Sequence, residues 1–194
     1  MNTYENELNP LQSLQLISEV ITKTKENFRG YSFLYLLWGW LIAIASFAFF
    51  ILHQYTSFDL FFLPFPVLAG CGILITVLHY RLKRHDTETW LSGYLKNLWL
   101  VLGISFILVV FINIVQQRPP FTYTLLIGGV GTLISGMSLR FRPLIFGGII
   151  FFLFALLSGL FVTDRYQPLL QGVAVVTGYL IPGYLLRRSP TNQA

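Results

Sequence analysis

Charge is scarce in this chain. Asp, Glu, Lys and Arg make up 11% of its 194 residues while hydrophobic residues make up 55%, and soluble domains carry roughly a quarter charged residues. An ordinary soluble domain is thereby excluded. None of the 13 Lys and Arg or the 8 Asp and Glu falls inside the apolar intervals 31–53, 60–80, 97–115, 121–139, 143–163 and 168–186. Six uncharged runs of this length define a polytopic membrane protein. Cysteine is nearly absent: Cys71 stands alone within an apolar interval, so no internal disulfide forms and cysteine usage says nothing of compartment. The first 30 residues have no apolar stretch and no small-residue cleavage site, so no removable signal peptide is expected and the first span serves as the insertion signal. The missing charge in the spans also argues against an ion-coupled carrier, which needs an ionisable group at mid-membrane.

The intervals read as helices. At ~1.5 Å per residue each is long enough to cross roughly 30 Å of hydrocarbon, and 36–52 and 149–162 are apolar around their whole circumference, unlike barrel strands. The break at Arg140-Phe141-Arg142-Pro143 is short, but two arginines in the bilayer centre are costly and Pro143 suits a helix start. It reads as a turn.

Orientation follows from the basic residues. With the N-terminus inside, Lys23, Lys25, Arg29, Arg81, Lys83, Arg84, Lys96, Arg140, Arg142, Arg187 and Arg188 are all cytoplasmic, and Arg118 and Arg165 are outside. This asymmetry places both termini in the cytoplasm. The net charge of +5 does not imply a nucleic-acid partner, because the cations flank spans instead of lining a folded face. The expected organisation is a cytoplasmic amphipathic helix in residues 1–30, a six-span domain over 31–188 and a short tail, 189–194. Asn9-Pro10 opens that first helix, and Leu14, Ile17, Ile21 and Phe28 recur along it at helical spacing. It acts either as an interfacial anchor or as a docking helix for a protein partner. Asp86 or Thr87 is a possible cap for a third helix that starts inside the cytoplasm, with Trp90 and Tyr94 at the interface.

The chain also resembles itself. The segment from Gly131 through Arg140 to Pro143 and that from Gly178 through Arg187 to Pro190 share Gly131/Gly178, Leu133/Leu180, Ile134/Ile181, Gly136/Gly183, Leu139/Leu186, Arg140/Arg187 and Pro143/Pro190. A fainter copy runs from Gly72 to Arg81, and Leu37-Trp38 is echoed by Leu98-Trp99. The implied fold is an all-α transmembrane six-helix bundle made of three tandem hairpins with pseudo-threefold character. Pro182-Gly183 predicts a kink near the inner end of the last span, either a static bend or a hinge.

Chemistry is thinly represented. Ser135-Gly136 and Ser158-Gly159 have no histidine at matching depth, His79 and His85 have no acidic partner in a span, and Gly128-Gly129 lies within a membrane segment where it cannot cradle a nucleotide. No enzyme activity, metal or cofactor is expected. The polar candidates are Asn113, Gln116 and Gln171 near the outer ends of their spans, as a shallow pocket or as interhelical contacts.

The run Gly178-Tyr-Leu-Ile-Pro-Gly-Tyr-Leu-Leu-Arg187, the Leu37-Trp38-Gly39 entry of the first span and the preceding Ser13-Leu-Gln-Leu-Ile-Ser18 segment resemble a family of small six-span inner-membrane proteins of Bacteroidetes-type bacteria. The resemblance implies fold and location and assigns no activity or site residue. The functional expectation is a non-enzymatic scaffold or sensor that sits in the lipid bilayer and acts through association with a protein partner or with further copies of itself. The alternative is a small transporter for a neutral or lipid-like solute.

Overall fold

The computed structural model describes residues 10–57, 59–82 and 90–188, with side chains from residue 32 onward. The order is α1 (Pro10–Tyr55), α2 (Pro64–Leu82), α3 (Trp90–Val115), α4 (Phe121–Ser138), α5 (Arg142–Leu160), α6 (Gln167–Val175), a π-helical turn (Val176–Leu180) and α7 (Ile181–Arg188). The last three run on as a single sixth span, Gln167–Arg188. Among the described residues six helices are therefore long and apolar enough to cross a membrane, and the protein is a multi-pass helical membrane protein.

Proline sets several helix starts. Pro64 opens α2, so residues 60–63 form a turn instead of the first turn of the second span. Pro143 and Pro168 sit in the first turns of α5 and α6, where a missing N–H costs nothing. The ends of α3 and α4 close by a shared device. Arg118 N–H donates to Asn113 C=O and Gln117 N–H to Ile114 C=O, while Phe141 N–H donates to Gly136 C=O and Arg140 N–H to Met137 C=O. This crossed pair of bonds needs one left-handed residue, and Gln117 (φ 56°) and Arg140 (φ 50°) supply it without being glycine. The turn expected at Arg140 is thus a well-formed helix termination.

Helix α1 has 46 residues, about twice what roughly 30 Å of hydrocarbon requires. Its membrane part is Ser32–Tyr55, and the segment before it continues the same helix without a break. Asn9, and the side chains of Leu14, Ile17, Ile21 and Phe28, lie outside the described residues, as do Asp86, Thr87 and Pro190. Helix α3 starts at Trp90, ahead of the apolar interval at 97.

The sixth span is the centre of the bundle. In its most apolar stretch 56% of residues are buried, against 6% in α2 and α3. It packs on α1, α4 and α5; α4 and α5 form the tightest pair; α2 lies against α1, and α3 against α4. Helices α2 and α3 share at most a marginal contact with each other. Their outward faces, including Leu74, Leu78, Ile107 and Phe111, are exposed as lipid-facing side chains are.

Small residues allow the tight approaches. A Cβ built on Gly148 would stand 2.7 Å from the Leu133 backbone nitrogen, and one on Gly136 would stand 2.6 Å from that of Ile145. Between α5 and the π-helical turn the approach is closer still, with 2.2 Å from a Cβ on Gly147 to the Gly178 carbonyl oxygen. Dispersion and backbone contact replace the hydrophobic effect as the source of cohesion inside a bilayer. Beside these seams Tyr179 gathers Tyr35, Trp99 and Phe151, at ring distances of 4.8, 6.1 and 6.1 Å.

Candidate functional site

The polar side chains of the spans divide by depth. Near the Gln167 end of the sixth span, Gln171 is buried and its Oε1 accepts a hydrogen bond from Thr124 Oγ at 3.0 Å, tying the sixth span to α4. Asn113 is also buried, but it turns back on its own helix, donating from Nδ2 to Val109 C=O at 2.8 Å. The two residues expected to share a pocket therefore serve different partners. Asn113 keeps company with Gln116 instead, and with Val109, Ile112 and Tyr123 they line an open groove of about 220 Å³ on the α3/α4 face. Along the α4/α5 seam the Thr122 and Ser158 hydroxyls meet at 2.9 Å. At the same end of the bundle Arg165 Nε donates to Gln54 Oε1. Thr124 was not singled out in the sequence, since one threonine in the first turn of an apolar helix gives no sign of which neighbour it meets.

Deeper in, two hairpins carry the same contact. In the first, Trp38 Nε1 donates to Thr76 Oγ at 3.1 Å, and a Cβ on Gly72 would lie 3.1 Å from the Trp38 ring and 2.8 Å from Leu41. In the second, Trp99 Nε1 donates to Ser135 Oγ at 3.2 Å, and a Cβ on Gly131 would lie 2.8 Å from both the Trp99 ring and Leu102. Each tryptophan brings the Cζ3–Cη2 edge of its ring against a glycine and reaches the hydroxyl one turn further along. The third hairpin has no tryptophan: Gly178, aligned with Gly72 and Gly131, meets Gly147 and Phe151. The arginines closing the three segments, Arg81, Arg140 and Arg187, are all exposed.

The irregularity in the last span begins one turn before the predicted place. Pro182 has no N–H for the carbonyls of the preceding turn, and the backbone there widens into the π-helical turn, closed by Ile181 N–H on Val176 C=O. Pro182 and Gly183 are themselves buried, the latter against Leu36 and Tyr35 of α1. Single π turns concentrate at places where a helix does more than span. Ser46 and Thr132 hydroxyls are buried with no hydrogen-bond partner.

Among the described residues no three of His, Cys, Asp and Glu come together as a metal site would require. A second open groove, of about 320 Å³, lies between α1 and α7 and is lined by Phe33, Leu36, Leu37, Trp40, Leu41, Tyr184 and Arg187. No family model, curated protein or solved structure matches the chain.

Proposed function

We propose that this is a non-enzymatic protein of the bacterial inner membrane, with both termini in the cytoplasm, that acts through association as a small scaffold or sensor. The observation that carries this reading is how its interior polar groups are used. Thr124 with Gln171, Thr122 with Ser158, Trp38 with Thr76 and Trp99 with Ser135 all join one helix to another. Side chains spent on holding helices together are not available to chemistry. The cytoplasmic part of α1, longer than the membrane requires, is the proposed contact for a protein partner.

The tandem-hairpin origin belongs to the same proposal. The matching Trp38–Gly72–Thr76 and Trp99–Gly131–Ser135 contacts support it. If each hairpin's odd helix packs on another hairpin's even helix, α1 on the sixth span and α5 on α4 are two of three equivalent contacts, and α3 on α2 would be the third. That third contact is marginal, so the pseudo-threefold ring is open there. The exposed flanks of α2 and α3 are accordingly the faces on which a second copy would pack in a homo-oligomer. Deleting residues 1–28 is the test of the leading reading: the bundle should remain folded and lose its co-purifying partner. A partner retained by the truncated protein, or none bound by the full chain, contradicts it.

A second reading, a transporter for a neutral or lipid-like solute, draws on the π-helical turn beside Pro182 and Gly183, an interruption of the kind on which carrier helices pivot. Uptake by vesicles holding the purified protein, abolished by bridging α5 to the sixth span, would favour it over association.

A further inference from the structure

We infer that the groove between α1 and α7 binds one anionic phospholipid of the leaflet at the Arg187 end of the bundle. The groove is graded along its length. Arg187 and Phe33 stand at its mouth, at the ends of the spans Gln167–Arg188 and Ser32–Tyr55, and Trp40 and Leu41 lie two turns deeper along α1. Between them Leu36 and Leu37 give an apolar wall against which an acyl chain can lie.

The polar groups are placed for a phosphodiester. Trp40 Nε1 donates to the Tyr184 hydroxyl at 3.0 Å, so that oxygen acts as acceptor and its own proton remains to be donated outward. Tyr184 is 40% exposed, which keeps that donor within reach of a lipid. Arg187 supplies the planar guanidinium that pairs with phosphate oxygens, and Arg188 follows it. Charge complementarity with Arg187 and Arg188 selects the anion: among the described side chains the carboxylates, Asp59 and Asp164, both belong to turns at the opposite ends of the helices, and in α1 before the groove Lys23, Lys25 and Arg29 outnumber Glu19 and Glu26. Basic pockets between membrane helices take anionic headgroups for this reason.

The test uses the full chain in phosphatidylcholine vesicles, with brominated phosphatidylglycerol added in steps. Bromine on the acyl chain quenches a tryptophan it touches, and Trp40→Phe isolates the part of the signal that belongs to the groove. The wild type should show saturable quenching of that part. Arg187→Gln should weaken the apparent affinity about fivefold, the worth of one basic residue at an anionic surface, and Arg187→Lys less. Arg140→Gln, which removes the same charge at the same end but outside the groove, should leave it unchanged, and melting in detergent should show all three variants folded. Equal weakening by Arg140→Gln and Arg187→Gln would mean general attraction to the surface and would overturn the proposal. So would equal quenching by brominated phosphatidylcholine, or no effect of Arg187→Gln.

Discussion

Gly147 and Gly178 touch backbone to backbone: a Cβ on the first would stand 2.2 Å from the carbonyl oxygen of the second, and a Cβ on the second 2.8 Å from the carbonyl oxygen of the first. The contact joins α5 to the turn where Pro182 leaves carbonyls without helical donors, so the two interruptions of regular packing coincide. Gly147→Ala is expected to destabilise the bundle by ~3 kcal/mol, the upper range for overpacking where backbone itself must move. Gly103→Ala on the open face of α3, with nothing within 4 Å, should be neutral or slightly stabilising. Thermal melting of the two variants in detergent compares them directly.

The Trp99–Ser135 and Trp38–Thr76 bonds should be worth similar amounts if they are the same element used twice. Double-mutant cycles with Trp99→Phe and Ser135→Ala, and with Trp38→Phe and Thr76→Ala, should each return a coupling of ~0.6 kcal/mol, the mean for hydrogen bonds between membrane helices. Couplings of opposite sign would separate the two hairpins.

Thr124 and Gln171 are both buried, so removing one partner should cost more than removing both. Thr124→Val alone leaves the Gln171 carbonyl unsatisfied and should lower stability by ~1 to 2 kcal/mol, while Thr124→Val with Gln171→Leu should recover most of that loss. Unfolding in a graded denaturing detergent measures all three proteins against the wild type.

The six spans were legible in the sequence because they depend on a quantity that a linear reading contains, uncharged length. The Arg140 turn follows from single residues in the same way, whereas the second span was expected to start at residue 60 and α2 starts at Pro64. What was not legible is who meets whom. Asn113 and Gln171 lie at similar depths and look like a pair, yet α3 packs on α4 and the sixth span is reached instead by Thr124. The likeness of Gly72–Arg81 to Gly131–Arg140 was visible as shared Gly, Leu and Ile, but the contacts made there, an indole against a glycine and bonded to a hydroxyl, needed two helices side by side. The irregularity at Pro182 was expected at the proline and arises before it, because a proline disturbs the carbonyls of the turn that precedes it.

Gln117 holds a left-handed conformation, φ 56°, at the end of α3 without the freedom of glycine. Gln117→Gly keeps the crossed hydrogen bonds and removes the Cβ conflict, and should stabilise the protein by ~1 kcal/mol. An increase in melting temperature checks this. Gln117→Val, whose branched side chain suits that conformation worst, should move it the other way.

Single-cysteine labelling in intact cells tests whether the six spans run with both termini on the cytoplasmic side, as proposed. Cys71→Ser gives a chain without cysteine, into which Arg118→Cys, Arg142→Cys, Arg165→Cys and Arg188→Cys can be introduced one at a time. A membrane-impermeant thiol reagent should label positions 118 and 165 from outside, and positions 142 and 188 only after the membrane is opened. Labelling of position 142 or 188 in sealed cells would contradict the account.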